Sequence, residues 1–177
     1  MPTNRDKFKA LVHYVCSLRS ARPDTLGAVK LNKILWLAEI SAFYRLGNPI
    51  TQARYIKRKF GPVPAPIMRT LRELDQDGVL SVRDASHYGL QKKEYIVYIP
   101  ATEDFLSLEE AAIVKEMVDY VCDEHTAASV SEATHDHVWK AAEDGEEIPH
   151  YTVFANAGKI TDEDRGWAKD QLACGAA

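Results

Sequence analysis

The chain has 177 residues, 46% hydrophobic and 27% charged, with 9 Gly and 8 Pro, which excludes a disordered or fibrous protein. Its three cysteines, Cys16, Cys122 and Cys174, lie far apart and form no CxxC pair, which argues against a disulfide framework or a thiolate zinc site and for a cytoplasmic setting. The net charge of −4 splits into +9 over residues 1–100 (17 Lys and Arg, 8 Asp and Glu) and −13 over residues 101–177 (5 against 18). Two solvated surfaces of opposite sign, one half covering the other, or a charged partner are all compatible with that split.

In chain order, apolar residues at helical spacing (Phe8, Leu11, Val12, Val15, Leu18) predict a first helix over residues 4–18, with Thr3 or Asn4 as its cap. This stretch is amphipathic and lacks the apolar run and cleavage site of a signal peptide. Arg22-Pro23-Asp24 breaks it. A second helix is expected over residues 27–46, where Leu31, Ile34, Leu35, Ala38, Ala42 and Leu46 form a stripe widened by Trp36, Ile40 and Phe43. So broad a stripe implies burial on more than one side, and Gly47-Asn48-Pro49 ends the helix.

Residues 55–60 alternate like a strand and lead into Gly61-Pro62-Val63-Pro64, read as a rigid turn. A third helix over residues 65–76 would face Ile67, Met68, Leu71 and Leu74 inward. Residues 79–83 and 94–99 read as a hairpin with a long loop. Beyond Pro100, Ser107-Leu-Glu-Glu110 is a capping box opening a helix to about residue 123, with Leu108, Ala111, Val114 and Val118 inward. A helix follows from Thr126 to about His135, then a loop over residues 145–149 and a last helix from Thr161. The fold class is mainly α with a small antiparallel β element: a winged-helix-like N-terminal segment, basic over 1–100, packed with acidic helices over 101–177 as a single domain. No apolar stretch approaches the roughly 18 residues of a membrane span.

The chemistry motifs are absent: there is no GxSxG, GxxxxGK[ST] or GxGxxG. Cys16 and Cys122 fall on apolar helical faces, where a thiol is structural rather than nucleophilic. His125, His135, His137 and His150 lack the i, i+4 spacing of helical metal ligands, and the acidic run 143–147 lacks the register of a calcium loop. No catalytic constellation, metal or cofactor is expected, so the chain reads as a binding protein and not an enzyme. Placed in a major groove, the third helix would present Arg69 and Arg72, with Arg83, Lys92 and Lys93 on the wing. Glu73, Asp75 and Asp77 oppose that use, and Gln76 alone is suited to reading adenine. A winged-helix transcription regulator is therefore the alternative reading, and a protein partner the leading one. Trp36, Tyr44, Tyr55 and Trp139 are candidate anchors that also suit a core.

Three segments carry a family resemblance. Lys30-Leu31-Asn-Lys33-Ile-Leu-Trp36 resembles a KLxKLLY-type helix, with Trp36 in the aromatic neighbourhood. Tyr55-Ile-Lys57-Arg-Lys-Phe60-Gly61-Pro62-Val63 is similar to a W/F-x-x-GPV-type turn, and Ser131-Glu-Ala-Thr134-His135, then Trp139, to an S-x-x-T-H…W segment. In this order, across residues 8–150, they resemble the Panacea domain, also called the SocA-like or phage-associated GepA-like domain, and the SocA type most.

The resemblance implies an antitoxin of a toxin–antitoxin pair that neutralises its toxin by direct binding. In SocA-type members it also implies an adaptor delivering a SocB-like toxin to the ClpXP protease. Family-motif or partner-binding candidates are Lys30, Leu31, Lys33, Trp36, Tyr55, Lys57, Phe60, Gly61, Pro62, Val63, Thr134, His135 and Trp139. Under the same resemblance Thr134 and His135 would be structural groups ending a helix. The terminal Ala176-Ala177 resembles tails that ClpX recognises and is a candidate protease-docking tail. DNA is a lesser expected partner, and a membrane is not expected.

Overall fold

The computed structural model describes residues 4–87 and 89–156. The expected last helix from Thr161 and the Ala176-Ala177 tail lie outside the described residues. Among those described, the chain is mainly helical with two small antiparallel two-stranded sheets. Helix α1 (Asn4–Leu18) buries Phe8, Leu11, Val12 and Val15, and a 3-10 turn over Pro23–Thr25 reverses the chain into α2 (Gly27–Leu46). Buried residues recur along α2 as far as Ala42, and it packs against α1, both sheets and helices of the acidic half, as its wide apolar stripe requires; Leu46, expected on that stripe, lies in the last turn beyond the core and is 41% exposed. Gly47 closes it in the left-handed conformation, its N–H bonded to the Phe43 carbonyl.

The proline segment is a strand. β1 (Tyr55–Arg58) pairs with β2 (Gly61–Pro64), placing Arg58 opposite Gly61 across a two-residue turn. Pro62 and Pro64 lack a donor, which a strand tolerates when that side needs no ladder bond. The Ala65 N–H still donates to the Arg54 carbonyl at 2.8 Å, so α3 starts later than expected, at Ile67–Gln76. Its inward face is Ile67, Thr70, Leu71 and Leu74, the i, i+3, i+4, i+7 set. Met68, expected inward, falls off that stripe and is 70% exposed. β3 (Leu80–His87) and β4 (Leu90–Val97) pair with His87 opposite Leu90, so the expected long loop is replaced by paired backbone.

Helix α4 (Leu108–Asp119) has the complete Ser107–Glu110 capping box and continues into a π-helical turn, Tyr120–Glu124. Leu108, expected inward, occupies the first helical position and is 86% exposed; Ile113 and Met117 join Ala111, Val114 and Val118 in the buried set instead. Then come α5 (Ala127–Ala133), capped by Thr126, and a short helix unforeseen in the sequence, α6 (His137–Ala141), capped by Asp136. Residues 145–148 are no free loop. Lys57 and Ile148 donate to Glu146 and Tyr55 carbonyls at 2.7 and 2.8 Å, so this segment covers the outer edge of β1. A 3-10 helix, His150–Asn156, follows.

One buried apolar cluster runs from Phe8 to Ile148 and draws on both charge halves. The halves are also stitched electrostatically. Lys7 pairs with Glu110, Arg45 with Glu116, Arg54 with Glu147 and Arg58 with Asp144. The buried Arg19 bonds Asp119, Asp123 and the Val118 carbonyl at 2.7–3.2 Å. Within the basic half, the fully buried Glu39 accepts from the Thr51 N–H and hydroxyl, which pins the loop after α2. Burial pushes the Glu39 carboxyl up to about 7, against those hydrogen bonds, which lower it.

Arg19 and Arg45 make a direct comparison. Removing a buried, multiply bonded guanidinium in Arg19→Ala should cost roughly 2–4 kcal/mol, because it empties packed volume and breaks the bonds to Asp119, Asp123 and the Val118 carbonyl. Arg45→Ala removes an exposed pair and should cost under about 1 kcal/mol. Urea denaturation of the two variants checks the contrast.

Candidate functional site

The three sequence segments singled out above meet at one place. Lys33 of α2 is 1% exposed, and its ammonium donates to the hydroxyl of Thr134, the residue that ends α5. That hydroxyl lies 3.2 and 3.0 Å from the Val130 and Ser131 carbonyls, to either of which it can donate. Between the two helices lies Gly61. A Cβ there would stand 1.7 Å from Lys33 Nζ, and its φ of +115° is one that side chains rarely adopt. A glycine is therefore demanded twice at this position, by the backbone and by the lysine packed on it.

The hairpin turn is held from the acidic half. Ser131 Oγ donates to the Phe60 carbonyl at 2.8 Å, and Trp139 Nε1 donates to the Arg58 carbonyl at 3.2 Å. His135 and Trp139 stack with centroids 3.7 Å apart and planes 6° apart. Lys57 lies over the Trp139 ring, 4.4 Å from its centroid, and donates to the Ala142 carbonyl at 2.7 Å. The His135 imidazole is lowered by burial, then by the Lys33 charge, with a Phe60 backbone hydrogen bond acting the other way. α6 thus exists as a platform: it carries Trp139 to the back of β1.

The remaining candidates divide between core and surface. Leu31, Trp36 and Tyr55 are buried, and the Trp36 and Tyr55 rings lie 5.0 Å apart with His150 stacked on Trp36. Pro62 is buried and Val63 half-buried. Lys30 is half-buried, its ammonium 3.2 Å from the Cys122 carbonyl to which it donates. Phe60 is the outward one, 54% exposed at the tip of the turn, with Lys59 Nζ 5.3 Å from its ring centroid. Tyr44, weighed earlier as an anchor, is also exposed, against Phe154.

Burial raises both the Cys16 and the Cys122 thiol, the opposite of what activates a nucleophile. Among the described residues, no three of His, Cys, Asp or Glu are grouped to hold a metal ion, and no helix is long and apolar enough to cross a membrane. Lys57, a candidate from the sequence, is brought to Trp139, whereas Ser131 was not among the candidates. It opens the quoted Ser131–His135 segment, so the segment itself was the signal.

The stretch of chain that holds this junction matches a known family. The family model described as antitoxin SocA-like, Panacea domain, matches residues 31–140, more than half of the chain. The chain belongs to the SocA-like Panacea family. That places it among antitoxin-like domains in general. No curated protein and no solved structure matches it. The matched span begins on α2 at Leu31 and ends on α6 at Lys140, so it contains the whole Lys33–Gly61–Thr134 junction.

Two outcomes are expected here. Gly61→Ala should cost roughly 1–3 kcal/mol and more than Gly47→Ala, since it combines backbone strain with displacement of the Lys33 ammonium from Thr134, whereas Gly47→Ala meets open space and only the strain. Burial lowers the Lys33 ammonium from 10.5 to about 8. Between those values the unfolded chain holds a proton that the folded chain has released, so this residue makes stability rise with pH from about 8 to 10.5. Buried Tyr95 and Cys16, raised by desolvation, act oppositely. The difference between wild type and Lys33→Met, taken from urea melts across that range, isolates the lysine and should grow with pH in favour of wild type.

Proposed function

We propose that this chain is a non-enzymatic antitoxin that neutralises a cognate toxin, SocB-like in kind, by direct binding as one domain. The observation that supports it is the junction itself. Three segments distant in sequence are spent on holding one hairpin turn in place, and the residue that turn presents to solvent is an aromatic flanked by cations, Phe60 with Lys59 and Arg58. Exposed aromatics on a rigid support are the common anchors of protein interfaces. In this reading Lys33, Gly61, Thr134, His135 and Trp139 position the turn, and Phe60 touches the partner. Delivery of the bound toxin to ClpXP is the SocA-type extension of the same reading.

The alternative, a DNA-binding winged helix, has less in its favour. Arg69 is paired with Glu73, which also pairs with Arg5, and Lys9 pairs with Asp77, so acids share the outer face of α3. Such a face repels phosphates as much as it attracts them.

Co-expression with the product of the adjacent gene tests the proposal. Wild type should restore growth and co-purify with that product, and Phe60→Glu should weaken the complex at least tenfold at an unchanged melting temperature. No complex and no rescue would sink the reading, and a salt-dependent mobility shift lost in Arg69→Ala would favour DNA instead. Rescue that persists without ClpXP would remove the delivery step and leave neutralisation by binding.

A further inference from the structure

Two hollows lie side by side at the start of α2 and share Ala28 and Val29. The larger, about 580 Å³, opens between Leu26 and Val29 of the basic half, Lys92 of β4, and Ala127 at the start of α5. The smaller, about 280 Å³, ends against Phe60 and Val63. Together they form a groove that runs from the second hairpin to the exposed aromatic of the first.

We propose that this groove receives a segment of a partner protein carrying apolar side chains flanked by carboxylates. The apolar part of the match is the floor: Leu26, Ala28, Val29 and Val63 offer no charge, and Phe60 closes one end. The charged part is the rim. Lys30, Lys92, Lys93 and Arg58 line the two hollows, with the buried Lys33 at the back of the smaller one, against one carboxylate, Asp24. Elsewhere the basic half is answered by the acidic half through ion pairs, Arg58 with Asp144 among them, but to the larger hollow the acidic half contributes Cys122, Thr126 and Ala127, which are uncharged.

Lys30 donates to a carbonyl, and the charges that act on it include Lys92 and Arg19, which repel it, and Asp123, which attracts it. Lys93 and Arg58 are held by exposed carboxylates, Asp84 and Asp144, in solvent-screened pairs of small net worth that are readily exchanged for an incoming acid. The backbone also builds this rim. Gly27 has φ +68°, and a Cβ on it would stand 3.0 Å from Lys92 Cε, so the glycine lets the lysine stem lie on the helix start with its ammonium at the groove. An acidic amphipathic segment laid in such a groove uses its apolar face for affinity and its carboxylates for orientation and on-rate.

This inference deepens the antitoxin reading by naming where the toxin's segment would lie, and the test keeps the two separable. The probes are a fluorescein-labelled amphipathic peptide of alternating Leu-rich and Glu-rich helical faces, the same peptide with Lys for Glu, and decanoate. Fluorescence polarisation with the full chain should show the acidic peptide binding at least tenfold tighter than the basic one. That binding should fall at least tenfold in Ala127→Trp, which fills the larger hollow from its solvent side, and in Lys92→Glu, with melting temperatures unchanged. Equal binding of both peptides, binding indifferent to both substitutions, or binding of decanoate alone would overturn the groove. The same variants are then co-expressed with the adjacent gene's product. Rescue lost in Phe60→Glu but intact in Ala127→Trp and Lys92→Glu overturns the groove and leaves the antitoxin reading standing. Peptide binding as expected, with no complex between wild type and that product, leaves the groove and removes that toxin.

Discussion

A buried lysine ammonium resting on a glycine is the constraint around which this molecule is arranged. Lys33 cannot be solvated where it lies, so it needs an acceptor, and Thr134 of α5 supplies one. It cannot be accommodated beside a side chain, so Gly61 has none. Those two demands bring α5 and the β1–β2 turn onto the same face of α2. Ser131, Trp139 and Lys57 then tie the turn down from the other side. Affinity for a partner benefits from such rigidity, because a turn fixed in advance has little freedom left to lose on binding.

The opposed charges of the two halves work mostly inside the molecule. Acids of α4, of the π-helical turn and of residues 144–147 face the basic residues of α1, α2 and β1, and Arg19 is buried in that seam. What is left over is therefore more informative than the totals. At the start of α2 the acidic half lines the hollow beside Lys30 and Lys92 with Cys122, Thr126 and Ala127, none of them charged.

Much of the fold was legible because local rules coincide with the tertiary result. The bounds of α1 and α2, the Gly47 cap and the Ser107–Glu110 box follow from periodicity and capping chemistry that a few neighbouring residues decide. Where the reading failed, distant residues were responsible. Pro62 and Pro64 suggested a turn, but β1 offered them a partner strand. Residues 145–148 looked like solvated loop, but the open edge of β1 recruited them. Met68 and Leu108 are apolar and sit within helices, yet the core lies to one side of the first and beyond the second.

The site divides in the same way. The sequence by itself determined the membership of the three segments and the family to which they belong, since those rest on residue identity and order alone. It also determined that the chain is predominantly helical with one basic and one acidic half. Only the tertiary structure decided that the motif cations, ring and glycine are mutual supports while Phe60 faces solvent, because spacing along a chain says nothing about which groups share a buried volume. The reason is physical: a buried ammonium is tolerated only where fixed acceptors and space coincide, and that coincidence is assembled from residues 28 to 101 positions apart.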